Sequence, residues 1–131
     1  MRAPGTRFAA TAGRTTRALV EAIDLYPTLV ELAALGDVRT RWSLDGVSLA
    51  PILSGEADSV REVAVSRWGR ARSVRDNDHR WIATLADDGS SSRQELYAEV
   101  DGEDPLENLI LELPAVAARL QSLVEAPSTD E

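Results

Sequence analysis

Five arginines, Arg67, Arg70, Arg72, Arg75 and Arg80, fall close together in the middle of this sequence. A guanidinium is a planar fork of N–H donors. A cluster of them can receive a sulfate, phosphate or carboxylate through paired hydrogen bonds. The plainer reading is a solvated sheet face whose arginines pair with nearby acids. Arg67, Arg70, Arg72 and Arg75 are the anion-binding candidates. Asp76, Asp78, Asp87 and Asp88 are hard oxygen donors that could ligate a cation. Their spacing matches no calcium loop, and they stand where turns favour Asp. Asp101, Glu103, Asp104 and Glu107 form a second acidic run, read as a loop before the last helix.

Other chemistries are poorly provided for. There is no cysteine, so disulfides, thiolate metal sites and thiol nucleophiles are excluded. The single His79 cannot build a histidine-rich metal site. Ser90, Ser91 and Ser92 lack a nucleophile elbow, and nothing ties His79 to a serine. No Gly-rich phosphate loop is present. The residues by themselves indicate no catalytic group and no metal site.

The charge is −8 in 131 residues, and it is uneven. Residues 94–131 hold ten acids against Arg119 alone, whereas residues 1–41 hold six arginines against four acids. An acidic C-terminal third repels phosphate backbones, which disfavours nucleic acid. No apolar run reaches membrane-spanning length. The first residues lack the apolar stretch of a secretory signal, so the sequence reads as cytoplasmic as it stands.

The elements that must position these groups follow from period and punctuation. Residues 1–17 read as an irregular start and 126–131 as a disordered tail, leaving 18–125 as one domain. The best-formed element lies in LVEAIDLYPTLVELAAL, residues 19–35. Leu25, Leu29, Leu32 and Ala33 recur at helical spacing, and Val30 widens the stripe. Asp24 stands at the N-cap, Pro27 in the first turn, and Gly36 where a left-handed cap would end a helix over 25–35. Residues 18–23 fit a short strand or a helical turn. Asp45-Gly46 is a turn signal, and Ser48 can cap a short helix in LAPIL, with Leu49, Ile52 and Leu53 inward. From Val63 the period becomes two. Four strands are expected: Val63 to Ser66, interrupted by Trp68-Gly69, then Ala71 to Asp76, His79 to Leu85, and Glu95 to Ala98. A final helix runs from Leu113 to Val124, with Pro114 in its first turn and a stripe of Leu113, Val116, Ala117, Leu120, Leu123 and Val124. The expected fold is α+β: a four-stranded antiparallel sheet covered by the C-terminal helix, with a separate N-terminal helix.

Taken in order, these segments resemble the C-terminal subdomain of the sulfatases, in the alkaline-phosphatase-like superfamily. The resemblance rests on Arg2-Ala3-Pro4-Gly5, on Ile23-Asp24-Leu25-Tyr26-Pro27-Thr28-Leu29 and on Leu44-Asp45-Gly46-Val47-Ser48-Leu49-Ala50-Pro51. It continues through Ser73-Val74-Arg75, Arg80-Trp81-Ile82, Glu95-Leu96-Tyr97, Asp104-Pro105 and Asn108-Leu109. Iduronate-sulfatase-like and choline-sulfatase-like members are most similar. The resemblance implies sulfate-ester hydrolysis for the family, with a formylglycine made from Cys or Ser in a C/S-x-P-S-R motif and a calcium ion held by acidic residues. This sequence contains neither that motif nor the family's Asp pairs, so no catalytic or metal residue is carried over. The Asp after Glu-Leu-Tyr is replaced by Ala98, and the DPxExxNL spacing is shortened. The chain is therefore expected to be inactive alone, with calcium and formylglycine belonging to the complete enzyme. Its helix over 25–35, left over from the α/β core, would dock on the missing catalytic domain or on another chain. That expectation requires Tyr26, Leu29 or Val30 to be exposed. Asp24, Pro27, Gly36, Asp45 and Gly46 are expected to be structural, and the arginines to lie near a substrate rim or to bind an anionic glycan without catalysis.

Overall fold

The computed structural model describes residue 8 and residues 11–35, 44–88, 90–99 and 107–125. Gly36, the Arg2–Gly5 segment, the acidic run from Asp101 to Asp104 and the tail from 126 lie outside the described residues. The chain divides into two compact units, Met1–Glu62 and Val63–Glu131.

In the first unit a 3-10 turn, Ala22–Asp24, leads directly into α1, Leu25–Leu32. The ambiguous stretch before the helix therefore resolves as a single tight turn, not a strand. Pro27 sits in the first turn of α1 as expected, where no intrahelical N–H is missed. The helix ends earlier than Gly36. Ala34 takes the left-handed conformation (φ 52°). The Leu35 N–H reaches the Val30 carbonyl at 3.2 Å and the Ala34 N–H reaches Glu31 at 3.1 Å. This pair of bonds is a Schellman closure, made here without glycine. Helix α2, Ala50–Ser54, ends at Gly55 in a left-handed cap, and the Ser48 hydroxyl accepts from the Ala50 N–H. Ala50 is its buried residue, while Leu53, expected inward, is exposed.

The second unit is an antiparallel meander in the order β1-β2-β3-β4, with β1 Ala64–Trp68, β2 Ala71–Arg75, β3 His79–Leu85 and β4 Ser91–Ala98. Strand β4 begins four residues earlier than the hydrophobic pattern indicates, because its first half is polar. An irregularity between Thr84 and Leu85 absorbs the register change. The register places Val65, Val74, Trp81 and Leu96 in one cross-strand row. Helix α3, Pro114–Glu125, supplies Ala117, Leu120 and Val124 to the same core. Leu123, assigned to the inward stripe, is exposed. Period two in the strands and period 3.6 in the helix thus meet on one apolar face.

Asn108 protects the outer edge of this sheet. Its side-chain carbonyl accepts from the Leu96 N–H at 3.0 Å and the Ile110 N–H at 3.1 Å, and the Leu109 N–H donates to the Leu96 carbonyl at 2.7 Å. Backbone groups of β4 that would otherwise stand open to strand addition are therefore occupied at Leu96.

Candidate functional site

Two groups of residues carry possible function: the start of α1 with its surroundings, and the arginines of the sheet.

Asp24 is wholly buried, at 0% exposure. It does not act as a side-chain cap for α1, because its backbone is already helical and no capping bond is made. Its carboxylate reaches three other donors. The Glu21 N–H donates to Oδ2 at 2.8 Å and the Val47 N–H donates to Oδ1 at 2.9 Å. The Arg61 guanidinium pairs with Oδ1 and also reaches Glu21 at 2.8 Å. Burial pushes the Asp24 pKa up, but the Val47 and Glu21 N–H groups and Arg61 together outweigh it, and the carboxyl lies below its ordinary value. One helical turn on, Thr28 is also buried. Its hydroxyl donates to the Asp24 carbonyl at 2.5 Å and accepts from the Leu49 N–H at 2.8 Å. Positions i and i+4 of the helix thus take alternate N–H groups of residues 47 and 49.

This ladder explains the glycine between them. A Cβ on Gly46 would stand 2.1 Å from the Ile23 carbonyl oxygen, a contact that backbone cannot relieve. Gly46 is required by close approach, not by a turn; residues 44–49 run without regular structure. Asp45 is exposed and takes no part in the ladder.

The consequence for α1 is an inverted amphipathy. Its buried residue is polar, Thr28. The stripe Leu25, Leu29 and Leu32, at i, i+4 and i+7, is exposed, with Leu25 at 59% and Leu29 at 63%. Ile23, Tyr26 and Leu35 are also exposed, whereas Val30 is half-buried. The expectation for Tyr26 and Leu29 holds. A helix of this composition ordinarily buries the leucines.

The arginines are divided by strand alternation. Arg67 and Arg72 are cross-strand partners, in one row with Ala83 and Gln94. Arg75 and Arg80 pair on the opposite face, where Glu99 binds them at 3.2 and 2.7 Å. Arg70 lies in the β1–β2 turn, paired with Asp87. The structure therefore brings two of the four anion-binding candidates together and occupies the other two. The acidic candidates are mostly committed. Asp76 pairs with Arg119 and accepts from the Asp78 and His79 N–H groups, at 2.9 and 2.6 Å, closing the β2–β3 turn. Burial raises its pKa, yet Arg119 and those N–H groups hold it below the ordinary value. Asp88 accepts from the Ser90 hydroxyl and N–H. Among the described residues no group of three or more His, Asp or Glu is placed to hold a metal ion.

Arg61 and Thr28 are the site residues that sequence reasoning missed. Arg61 sits in a polar break, GEADSVRE, that carries no periodic signal. Thr28 stands between two leucines of an apolar helix, where its hydroxyl gives no sign of a partner 21 residues away.

No protein-family model matches the sequence, and no curated protein matches it. Solved structures do match in fold. Two are sulfatase chains of Bacteroides thetaiotaomicron, from a core genetic locus for the metabolism of multiple glycosaminoglycans, designated 6S-sulf and 4S-sulf. The 6S-sulf chain aligns over 86% of this chain with a TM-score of 0.65 and 17% identity. The 4S-sulf chain aligns over 82% with a TM-score of 0.67 and 21% identity. In each case this chain spans only 26% of the length of the matched one. The chain thus has a sulfatase C-terminal-like fold.

Proposed function

We propose that this chain is the C-terminal portion of a sulfatase-type protein and that its task is to complete the catalytic portion, not to perform chemistry itself. The observation that carries this reading is the inverted amphipathy of α1. The helix is held from its polar side by Asp24, Thr28 and Arg61 and turns Leu25, Leu29 and Leu32 outward. An isolated globular unit has no use for such a stripe. Burying each leucine against a partner gains roughly 2 kcal/mol, enough for three of them to decide an association. The occupant is the α/β catalytic portion. The matched sulfatase chains are about four times as long as the stretch they share with this one, so the same fold there is joined to a much larger body.

The donor chemistry supports assigning the reaction elsewhere. The sequence offers no cysteine and no Ser-x-Pro-Ser-Arg for conversion to formylglycine. Asp24 and Asp76, the most tightly held carboxylates described, are already saturated by N–H groups and arginines. These residues do not fit a calcium–formylglycine centre, and no catalytic step is drawn through one in this chain.

The test is turnover of an aryl sulfate with calcium present. The purified chain is expected to give none, and mixing it with a formylglycine-bearing catalytic portion from the same source is expected to raise that portion's activity. Turnover by the chain alone, or no effect on the catalytic portion, would sink the reading.

A further inference from the structure

In the second unit, Arg70, Arg75, Arg80, Arg93 and Arg119 each have an acidic partner. Arg67 and Arg72 have none among the described residues, although the chain carries an excess of eight negative charges. These two stand directly opposite each other on β1 and β2. Like charges at a cross-strand pair repel, so the sheet holds an arrangement that disfavours itself. Arg72 is half-buried, which weakens the water screening that would otherwise relieve the repulsion.

The rest of the row points the same way. Beyond Arg72 come Ala83 and then Gln94. Ala83 is buried in the core at 1% exposure, so the open end of the row is the Arg67–Arg72 pair. The Trp81 indole N–H lies 3.4 Å from the Gln94 side-chain oxygen. The pair therefore displays two guanidiniums, with no carboxylate in its row. That donor set is complementary to an oxyanion and to little else.

We propose that the Arg67–Arg72 pair binds an oxyanion of the sulfate, phosphate or carboxylate class. The bound anion would sit between the two guanidiniums and cancel their repulsion, taking forked hydrogen bonds from both. The proposal separates Arg67 and Arg72 from Arg70 and Arg75, which acids already occupy. It stands apart from the docking role of α1, which lies in the other unit.

The experiment uses the full chain labelled with 15N. The Arg Nε–Hε signals are followed while sodium sulfate, sodium phosphate or sodium acetate is titrated against sodium chloride at equal ionic strength. Dextran sulfate forms a further arm that separates an anion carried on a polymer from the free ion. Saturable shifts at Arg67 and Arg72 are expected with at least one of these probes. Arg67→Gln and Arg72→Gln should each weaken that binding at least tenfold, and Arg93→Gln should leave it unchanged. Folding is checked with Arg67→Glu, which creates a cross-strand ion pair with Arg72. It should melt no lower than wild type in anion-free buffer and should bind none of the probes. The absence of saturable shifts with all four probes would overturn the proposal. So would equal binding by the two Gln variants, or retained binding by Arg67→Glu.

Discussion

Asp24→Asn changes one atom and the charge of the group on which the first unit turns. Both carboxylate oxygens are in use: Oδ2 accepts from the Glu21 N–H, and Oδ1 accepts from the Val47 N–H and pairs with Arg61. The asparagine can keep its oxygen toward Val47 and Arg61, but its NH2 then faces the Glu21 N–H, donor against donor. Leaving that buried donor unsatisfied costs about 1–3 kcal/mol. Losing the charge partner of a buried arginine costs about 3–5 kcal/mol when nothing replaces it. Arg61 is half-buried and keeps Glu21 at 2.8 Å, so the lower part of that range applies. Both effects act through the same carboxylate and do not add, so the expected loss is about 3 kcal/mol at pH 7. By the tenfold-per-1.4 kcal/mol rule, Val47 amide hydrogen exchange should speed up on the order of 100-fold. The pH dependence has a fixed sign. The folded-state pKa of Asp24 is lowered, so its contribution is fully present above the ordinary carboxylate range. It is lost as pH falls through the lowered folded value. The gap between wild type and variant should therefore be constant from pH 7 to about 5 and should narrow below about pH 4. Urea denaturation across that range, with Val47 exchange as the local probe, measures both. A gap under about 0.5 kcal/mol at neutral pH, or one that does not change on acidification, would refute the reasoning.

Two further substitutions test the backbone around the same ladder. Ala34→Gly should stabilise the first unit by about 0.5–1 kcal/mol, because alanine is strained at φ 52° and glycine is not; a lower melting temperature for the glycine variant would contradict the Schellman closure. Gly46→Ala should cost at least about 2 kcal/mol, since its Cβ would lie 2.1 Å from the Ile23 carbonyl oxygen. Val47 and Leu49 exchange should accelerate together in that variant, and unchanged protection at both would show that the segment can move aside.

What the sequence made legible follows from how far each signal reaches. The meander and α3 are plain because alternation and helical period are local, and Val65, Val74, Trp81 and Leu96 carry them in every strand. The start of β4 was hidden because Ser91 and its neighbours offer no apolar alternation. Helix α1 was found together with its stripe of Leu25, Leu29 and Leu32. Apolar spacing locates a stripe without saying what covers it, and the resemblance to a larger protein was needed to expect Tyr26 and Leu29 outside. Asp24 illustrates a different limit. Its position favoured an N-cap, yet Val47 and Arg61 compete for the same oxygens from 23 and 37 residues away, and burial settles the competition in their favour. The arginine cluster was legible as a group and not as a site. Alternation splits it, and only the placement of Glu99, Asp87 and Glu95 shows which guanidiniums remain available.

The measurement closest to the central claim is a binding isotherm between this chain and a formylglycine-bearing sulfatase catalytic portion from the same source. Wild type and Leu25→Glu/Leu29→Glu are compared. Both leucines are more than half exposed, so the double variant should keep the wild-type melting temperature. The account predicts saturable binding by wild type and loss of more than 100-fold in affinity for the variant, since about 2 kcal/mol per leucine is forfeited and two charges are buried in their place. Equal binding by both, or no binding by wild type, would contradict it.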